Sequence, residues 1–189
     1  MPRAGLDENF VLQAAAELAD TLGADGVTLA VLAKRLNIRP PSLYNHIQGL
    51  PDLRRKLAVY GVDLLYREMK QALESGVSKP EKLQALVEAY LSFAERHPGL
   101  YELTQRSLGP EVRSAGEPIV QLMLEQLKQM GIYGRSAIHA VRGLRSILHG
   151  FVSLSKEEGF GLPYAWKESL DYTLRAFLKG LKTMAEGNK

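Results

Sequence analysis

Hydrophobic residues recur at three- and four-residue steps along most of the chain, which is the period of amphipathic helices. The pattern predicts helices over about residues 8–22, 29–36, 41–47, 51–75, 80–96, 100–107, 118–130, 134–158 and 163–185. Glycine and proline mark most of the breaks, and residues 108–117 are expected to form a loop because they are rich in such residues. The sequence therefore predicts an all-α protein of about nine helices.

The segment from Thr28 to Ile47 is expected to fold into two short helices joined by a tight turn. Thr28 can cap the first helix, and Asn37 tolerates the left-handed backbone that ends many helices. Two consecutive prolines at 40 and 41 suit the start of the second helix. Leu43 and Ile47 lie four residues apart and should be buried. This layout is typical of a helix-turn-helix whose second helix enters the major groove of DNA.

Polar side chains on the outer side of this segment suit contact with DNA. Hydroxyl, amide, imidazole and guanidinium groups can bond phosphate oxygens or the edges of bases. The candidate DNA-binding residues are Thr28, Arg39, Pro41, Ser42, Tyr44, Asn45 and His46. On spacing alone, an ordinary corner between two packed helices is an equally good interpretation.

Positive charge gathers on and just after the proposed reading helix. The net charge of +3 is mild for 189 residues. Residues 34–56, however, hold six basic side chains against one acidic one, whereas residues 1–33 hold one basic residue against five acidic ones. This distribution favours phosphates as the partner of the reading helix.

The same segment resembles the DNA-binding signature of the TetR/AcrR family of bacterial transcriptional regulators. The resemblance spans about residues 7–60 and is carried by Ala14-Ala15, Leu18, Gly23, Gly26-Val27-Thr28, Leu32-Ala33, Leu36, Ile38, Leu43-Tyr44 and His46-Ile47. It implies a helix-turn-helix DNA-binding domain over residues 1–50 and a helical ligand-binding and dimerisation domain over residues 51–189.

One position departs from the family pattern. Members usually have a lysine at the start of the next helix, where it contacts phosphate, but this chain has Leu50 there. Either the contact is lost, or it is taken over by Arg54, Arg55 or Lys56.

The two C-terminal helices carry apolar seams that suit packing against a nearly parallel helix. The resemblance implies that they form a homodimer interface, and packing within one chain is the alternative. Residues 144–154 also resemble the C-terminal domain of a subgroup named for tryptophan, histidine and glycine. His149 and Gly150 match that pattern, whereas Arg145 stands where the tryptophan would be.

An apolar cavity that receives a small-molecule effector is implied by the family resemblance. Candidate lining residues are large or polar side chains on the C-terminal helices: Tyr90, Phe93, His97, Tyr101, Met123, Leu148 and His149. For each one, ordinary core packing is the alternative.

Catalytic chemistry is not indicated. The four histidines lack metal-ligand spacing, no glycine-rich phosphate loop follows a strand, and neither a cofactor nor a metal is expected. The chain has no cysteine, no apolar run long enough to span a membrane and no secretory signal, so we expect it in the cytoplasm.

The sequence thus predicts a ligand-responsive transcriptional regulator, a repressor that binds a palindromic DNA operator as a homodimer. Two alternatives remain open: a helical DNA-binding protein without an effector, and a helical interaction module or enzyme whose helix corner never meets DNA.

Overall fold

The protein is all helical over the residues that its computed structural model describes, which are 7–74 and 82–186. Eight α-helices and one 3-10 helix are present in this part of the chain, which confirms the predicted fold class. The helices are α1 Glu8–Leu22, α2 Leu29–Arg35, the 3-10 helix Pro40–Asn45, α3 Leu50–Glu74, α4 Lys82–Arg96, α5 Pro98–Gln105, α6 Pro110–Gln129, α7 Gly134–Lys156 and α8 Trp166–Glu186. The predicted helix end at Ser75 and helix start at Pro80 lie outside the described residues.

The chain divides into two compact units. The first contains residues 7–68 and 92–117, and thus α1, α2, the 3-10 helix, most of α3, α5 and the start of α6. The second contains residues 69–74, 82–91 and 118–186, and thus most of α4, the rest of α6, α7 and α8.

Helix α1 has the bounds that the sequence predicts, but its buried side is rotated. Asp7 caps the helix by accepting a hydrogen bond from the Phe10 N–H at 2.7 Å. Ala15 and Ala19 are fully buried, whereas Leu22 is 51% exposed, although the spacing of Val11, Leu18 and Leu22 predicts that it lies on the apolar side. The alanines face inward because their small side chains allow α5 to approach closely.

The close contact between α1 and α5 explains why α5 begins at Pro98, two residues earlier than predicted. Asp20 on α1 accepts hydrogen bonds from the N–H groups of Gly99 at 3.1 Å and Leu100 at 3.0 Å. These are among the N–H groups that lack partners at a helix start. The same carboxylate lies 2.7 Å from Nδ1 of His97, the residue before the helix. A residue distant in sequence therefore caps α5.

The loop predicted at residues 108–117 is wrong, because α6 begins at Pro110 and continues through Pro118. Proline suits the first turn of a helix, where an N–H would have no partner. Pro118 removes one interior hydrogen bond, but it lies on the exposed side of the helix. Val112 is buried and anchors the first turn. The glycine and proline residues of this segment therefore do not end α6, whose first turn is anchored by a buried side chain.

In the second unit, α7 and α8 pack directly against each other. Leu144, Leu148 and Leu170 are buried at 0–2% exposure. A Cβ atom on Gly143 would lie 2.6 Å from the Phe177 ring, so this glycine lets α8 approach α7 within one protomer. Gly150, one heptad later, has no atom within 4 Å of a Cβ placed there.

Candidate nucleic-acid interface

The first helix of the helix-turn-helix has the predicted caps at both ends. Thr28 has extended backbone, and its hydroxyl oxygen accepts a hydrogen bond from the Val31 N–H at 3.2 Å. Asn37 has φ of 53°, and its N–H donates to Lys34 O at 3.1 Å. The N–H of Ile38 donates to Ala33 O at 3.0 Å. This pair of bonds is a Schellman motif, which satisfies two carbonyls that the helix end leaves open.

The second helix of the helix-turn-helix, with the residues up to Ile47, is called the reading element below. It is a 3-10 helix over Pro40–Asn45, whereas the sequence predicts a helix over residues 41–47. Arg39 has extended backbone, as expected for a residue before proline. The Ser42 N–H donates to Arg39 O and the His46 N–H to Leu43 O, both at 2.9 Å. The segment has only six residues, and helical pieces of this length often adopt the tighter 3-10 form.

Two fully buried side chains, Leu43 and Ile47, anchor the reading element, as predicted. The candidate residues around them differ in exposure. Tyr44 is 60% exposed. The remaining ones divide into a half-buried pair, Ser42 and His46, and an exposed group, Thr28, Arg39, Pro41 and Asn45. The structure therefore brings the DNA-binding candidates onto one segment, with its polar side chains reaching solvent.

The three basic residues proposed as substitutes for the missing lysine all contact carboxylates of the protein. Arg54 lies 3.0 Å from Asp25, and Arg55 lies 2.6 Å from Asp52. Lys56 lies 2.7 Å from a carboxylate oxygen of α1. All three basic side chains thus form ion pairs within the first unit.

Two other cations of the basic segment face solvent. Within the part of the chain that the structure describes, Lys34 and Arg39 form no ion pair, and both are exposed. Arg35 pairs with Glu17 at 2.9 Å, but both side chains are more than half exposed, so this pair contributes little to stability. Lys34 and Arg39 are thus the basic residues of segment 34–56 that no carboxylate of a described residue neutralises.

A charged cluster links the turn between α1 and α2 to α3 and α5. Arg106 donates to both carboxylate oxygens of Asp25, at 2.9 Å each, and Arg54 donates to one of them at 3.0 Å. The hydrogen bonds from Arg106 hold the pKa of Asp25 below its ordinary value, and hydrogen bonds to Asp25 and Glu102 raise the pKa of Arg106. Because a lowered carboxyl pKa keeps Asp25 ionised, this contact holds at neutral pH and is lost as the pH falls through the pKa of Asp25 in the folded protein.

The candidate effector-binding residues are distributed over both units. Phe93, His97 and Tyr101 belong to the first unit, whereas the second contains Tyr90, Met123, Leu148 and His149. Five of them are buried side chains, and the two histidines are half-buried. The Phe93 and His97 rings lie 5.3 Å apart between centroids, and the imidazole also contacts Asp20. His97 thus takes part in the contact between α1 and α5. That the seven candidate residues bind an effector stays a prediction.

Sequence reasoning missed Gln126, a buried polar residue on α6. Its side chain is 6% exposed, and its Oε1 accepts no hydrogen bond from any described residue. The sequence carried a signal, because Ile119 and Met123 precede it by seven and three residues and so lie on the same helix face. A polar residue that interrupts an apolar face is a candidate polar group of a binding site.

Replacing this amide with an apolar side chain of similar size is expected to stabilise the protein. An unpaired buried acceptor is costly, so Gln126→Met should raise the free energy of unfolding by about 1 kcal/mol. Urea denaturation measures this change, and Gln129→Met, on the exposed side of the same helix, should leave stability unchanged. A loss of stability in Gln126→Met would show that the amide already has a partner.

No group of three histidine or acidic side chains within residues 7–74 and 82–186 could hold a metal ion. No helix in the same ranges is long and apolar enough to cross a bilayer.

Comparison with known proteins places both halves of the chain among transcriptional regulators. The tetracycline repressor-like C-terminal domain family matches residues 83–177. The chain is 41% identical over 182 residues to YobS of Bacillus subtilis, described as an uncharacterized HTH-type transcriptional regulator, and the match covers 95% of each protein.

Solved structures share the fold. A Rhodococcus protein of unknown function is 22% identical with a TM-score of 0.81, over 96% of this chain and 99% of that one. A TetR variant from Acinetobacter baumannii, solved in complex with minocycline, is 22% identical with a TM-score of 0.64, over 96% of each chain.

Proposed function

Because the chain belongs to the TetR family of transcriptional regulators, we propose that it is a ligand-responsive repressor that binds a palindromic operator as a homodimer. The observation that carries the DNA-binding part is the anchoring of the reading element. Leu43 and Ile47 are fully buried beneath it, while Tyr44 is 60% exposed on its outer side. Residues 1–50 act as the DNA-binding domain in this proposal, and residues 51–189 bind the effector and the second subunit.

In the proposed complex, the 3-10 helix of each subunit enters a major groove, and the two grooves lie about 34 Å apart. Asn45 and Ser42 can bond base edges or phosphate, and Tyr44 and His46 can bond phosphate oxygens. Arg39 and Lys34 supply positive charge beside them. Binding to chromosomal DNA would place the protein in the cytoplasm.

Selection of bound fragments from a random DNA pool tests this proposal directly. A two-fold symmetric consensus is expected, because a symmetric dimer presents two identical reading elements. Recovery of no enriched sequence, or of an asymmetric single site, would contradict binding as a dimer to a palindrome.

Substituting the exposed tyrosine should weaken DNA binding without altering stability. Tyr44→Ala removes a candidate phosphate contact, so we expect operator affinity and non-specific affinity to fall together, by about tenfold. Fluorescence anisotropy with operator and scrambled duplexes measures both affinities. Tyr133→Ala is a matched control, because Tyr133 is 63% exposed but lies before α7 in the second unit. Equal affinities for wild type and Tyr44→Ala would remove Tyr44 from the interface.

Dimerisation through α8 is supported by the distribution of charge around that helix. The charged residues Asp171, Arg175, Lys179 and Lys182 share one side. The side towards α7 contains Leu170 and Phe177. A third side is uncharged and mostly small, and consists of Ser169, Tyr172, Thr173, Ala176, Gly180 and Thr183. Tyr172 on this side is 73% exposed in the single chain, so its ring is open to contact by a second subunit.

The effector part of the proposal is supported by the fold shared with the minocycline-bound TetR variant. It does not imply the same ligand for this chain. An effector can shift the DNA-binding equilibrium only as far as its affinities for the two forms differ. We propose that it tilts α3, a continuous helix that begins three residues after Ile47, and so changes the separation of the two reading elements.

A mixture of small metabolites tests the effector part. We expect one fraction of the mixture to have two effects: it raises the melting temperature of the protein, and it releases the protein from the operator. A ligand that binds the folded state stabilises that state. A protein without an effector would show neither change with any fraction.

A further inference from the structure

The carbonyl group of His46, at the end of the reading element, receives a hydrogen bond from a side chain of α3. Lys56 Nζ donates to His46 O at 2.7 Å. Carbonyls at the end of a short helix lack backbone partners, and a lysine can satisfy them. The contact spans ten residues of sequence, so it ties the end of the reading element to the helix that follows it.

A second contact from α3 holds the next residues. Asp52 Oδ2 accepts a hydrogen bond from the Gln48 N–H at 2.8 Å, and the Asp52 carboxylate is only 6% exposed. Ile47, between the two contact points, is fully buried. The backbone over residues 46–48 is thus held by a carbonyl contact, an amide contact and a buried side chain.

The ammonium group of Lys56 has little capacity left for a phosphate. Lysine has three N–H donors. One goes to His46 O, and another to Glu8 Oε2 at 2.7 Å, while Asp52 Oδ2 lies 4.0 Å away. The Glu8 carboxylate offsets the ammonium charge locally, and the Lys56 side chain is only 28% exposed.

We propose that Lys56 is a positioning residue for DNA binding: it fixes the backbone at the end of the reading element and does not itself contact phosphate. The family lysine that Leu50 replaces is therefore not compensated by Lys56. This inference rests on the proposed DNA-binding function, and it adds a residue that acts on DNA only through His46 and the residues beside it.

The salt dependence of operator binding separates positioning from phosphate contact. Each phosphate contact by a cation steepens the logarithmic dependence of affinity on salt by about one unit. We expect Lys56→Met to lower operator affinity by about tenfold with an unchanged salt slope, since a hydrogen bond from a charged group is lost. Arg39→Ala, which removes an exposed cation, should lower the slope.

Two variants control for the ion pair and for the charge. Glu8→Gln removes one carboxylate partner but leaves the bond to His46 O, so it should bind the operator like the wild type. Lys56→Arg retains a cationic donor and should recover most of the affinity. The proposal would be overturned if Lys56→Met had a reduced salt slope of operator binding. It would also be overturned if this variant bound the operator as tightly as the wild type.

Hydrogen exchange tests the same inference without DNA. Amides of residues 46–48 should exchange faster in Lys56→Met than in Glu8→Gln, whereas amides within α7 should exchange equally in both. Equal exchange at 46–48 would overturn the positioning role even if the protein bound no DNA. Failure of the wild type to bind any selected sequence would instead contradict the proposed function.

Discussion

Gly99→Ala is expected to destabilise the protein by about 3 kcal/mol, because there is no room for a methyl group between α1 and α5. A Cβ atom on Gly99 would lie 1.8 Å from Ala19 O and 2.3 Å from Ala19 C, so a backbone would have to move. That movement would lengthen the hydrogen bonds from the Gly99 and Leu100 N–H groups to Asp20. It would also open the packing around Leu100, which is fully buried. Urea denaturation followed by circular dichroism measures the loss.

Gly116→Ala is the matched control for this prediction. Gly116 lies inside α6, and a Cβ atom placed there has no other atom within 4 Å. Alanine loses less backbone freedom than glycine when a helix forms, so this variant should gain about 0.5–1 kcal/mol. If the two variants unfolded at the same urea concentration, the close approach of α1 and α5 would not limit stability.

Gly180→Arg is expected to abolish dimerisation and with it tight operator binding, while leaving the protomer folded. A Cβ atom at Gly180 has no neighbour within 4 Å in the single chain, so the arginine fits without strain in the protomer. In the proposed dimer it would bring a charge into the uncharged side of α8, where a second helix packs. A single reading element loses the gain from simultaneous binding at two half-sites, which amounts to about 100-fold or more in affinity.

Sedimentation velocity and operator binding, measured on the same samples, check this result. Gly180→Ala keeps the surface small and uncharged and should remain dimeric. Lys179→Ala changes the charged side of the same helix and should also remain dimeric. A Gly180→Arg protein that sediments as a dimer would show that the interface lies elsewhere.

Most of the secondary structure followed from local rules that a sequence displays. α1 begins and ends where the apolar period predicts, and the Asp7 side chain, one residue before it, caps its first turn. The Thr28 cap and the left-handed Asn37 were predicted for the same reason, since each acts within four residues. The buried pair Leu43 and Ile47 also follows from spacing along one short segment.

The errors share a different cause. α5 begins at Pro98 because Asp20 of α1 accepts hydrogen bonds from its first N–H groups. α6 begins at Pro110 and continues through Pro118, with Val112 buried in its first turn. Asp20 accepts from N–H groups about 80 residues away in sequence, which no local pattern reveals. The partners of Arg54 and Lys56 depend likewise on where α1 and the turn after it lie.

The residue pattern alone therefore determined the all-helical class, the two short helices and the turn over residues 28–47, and the buried pair Leu43 and Ile47, since helical period and capping are properties of neighbouring residues. Tertiary structure decided which basic side chains face solvent and which pair with carboxylates. It also decided that the reading element is a 3-10 helix and that Gly99 and Gly143 serve packing within the protomer. These outcomes depend on distances between segments far apart in sequence, and such distances are set only when the chain has packed.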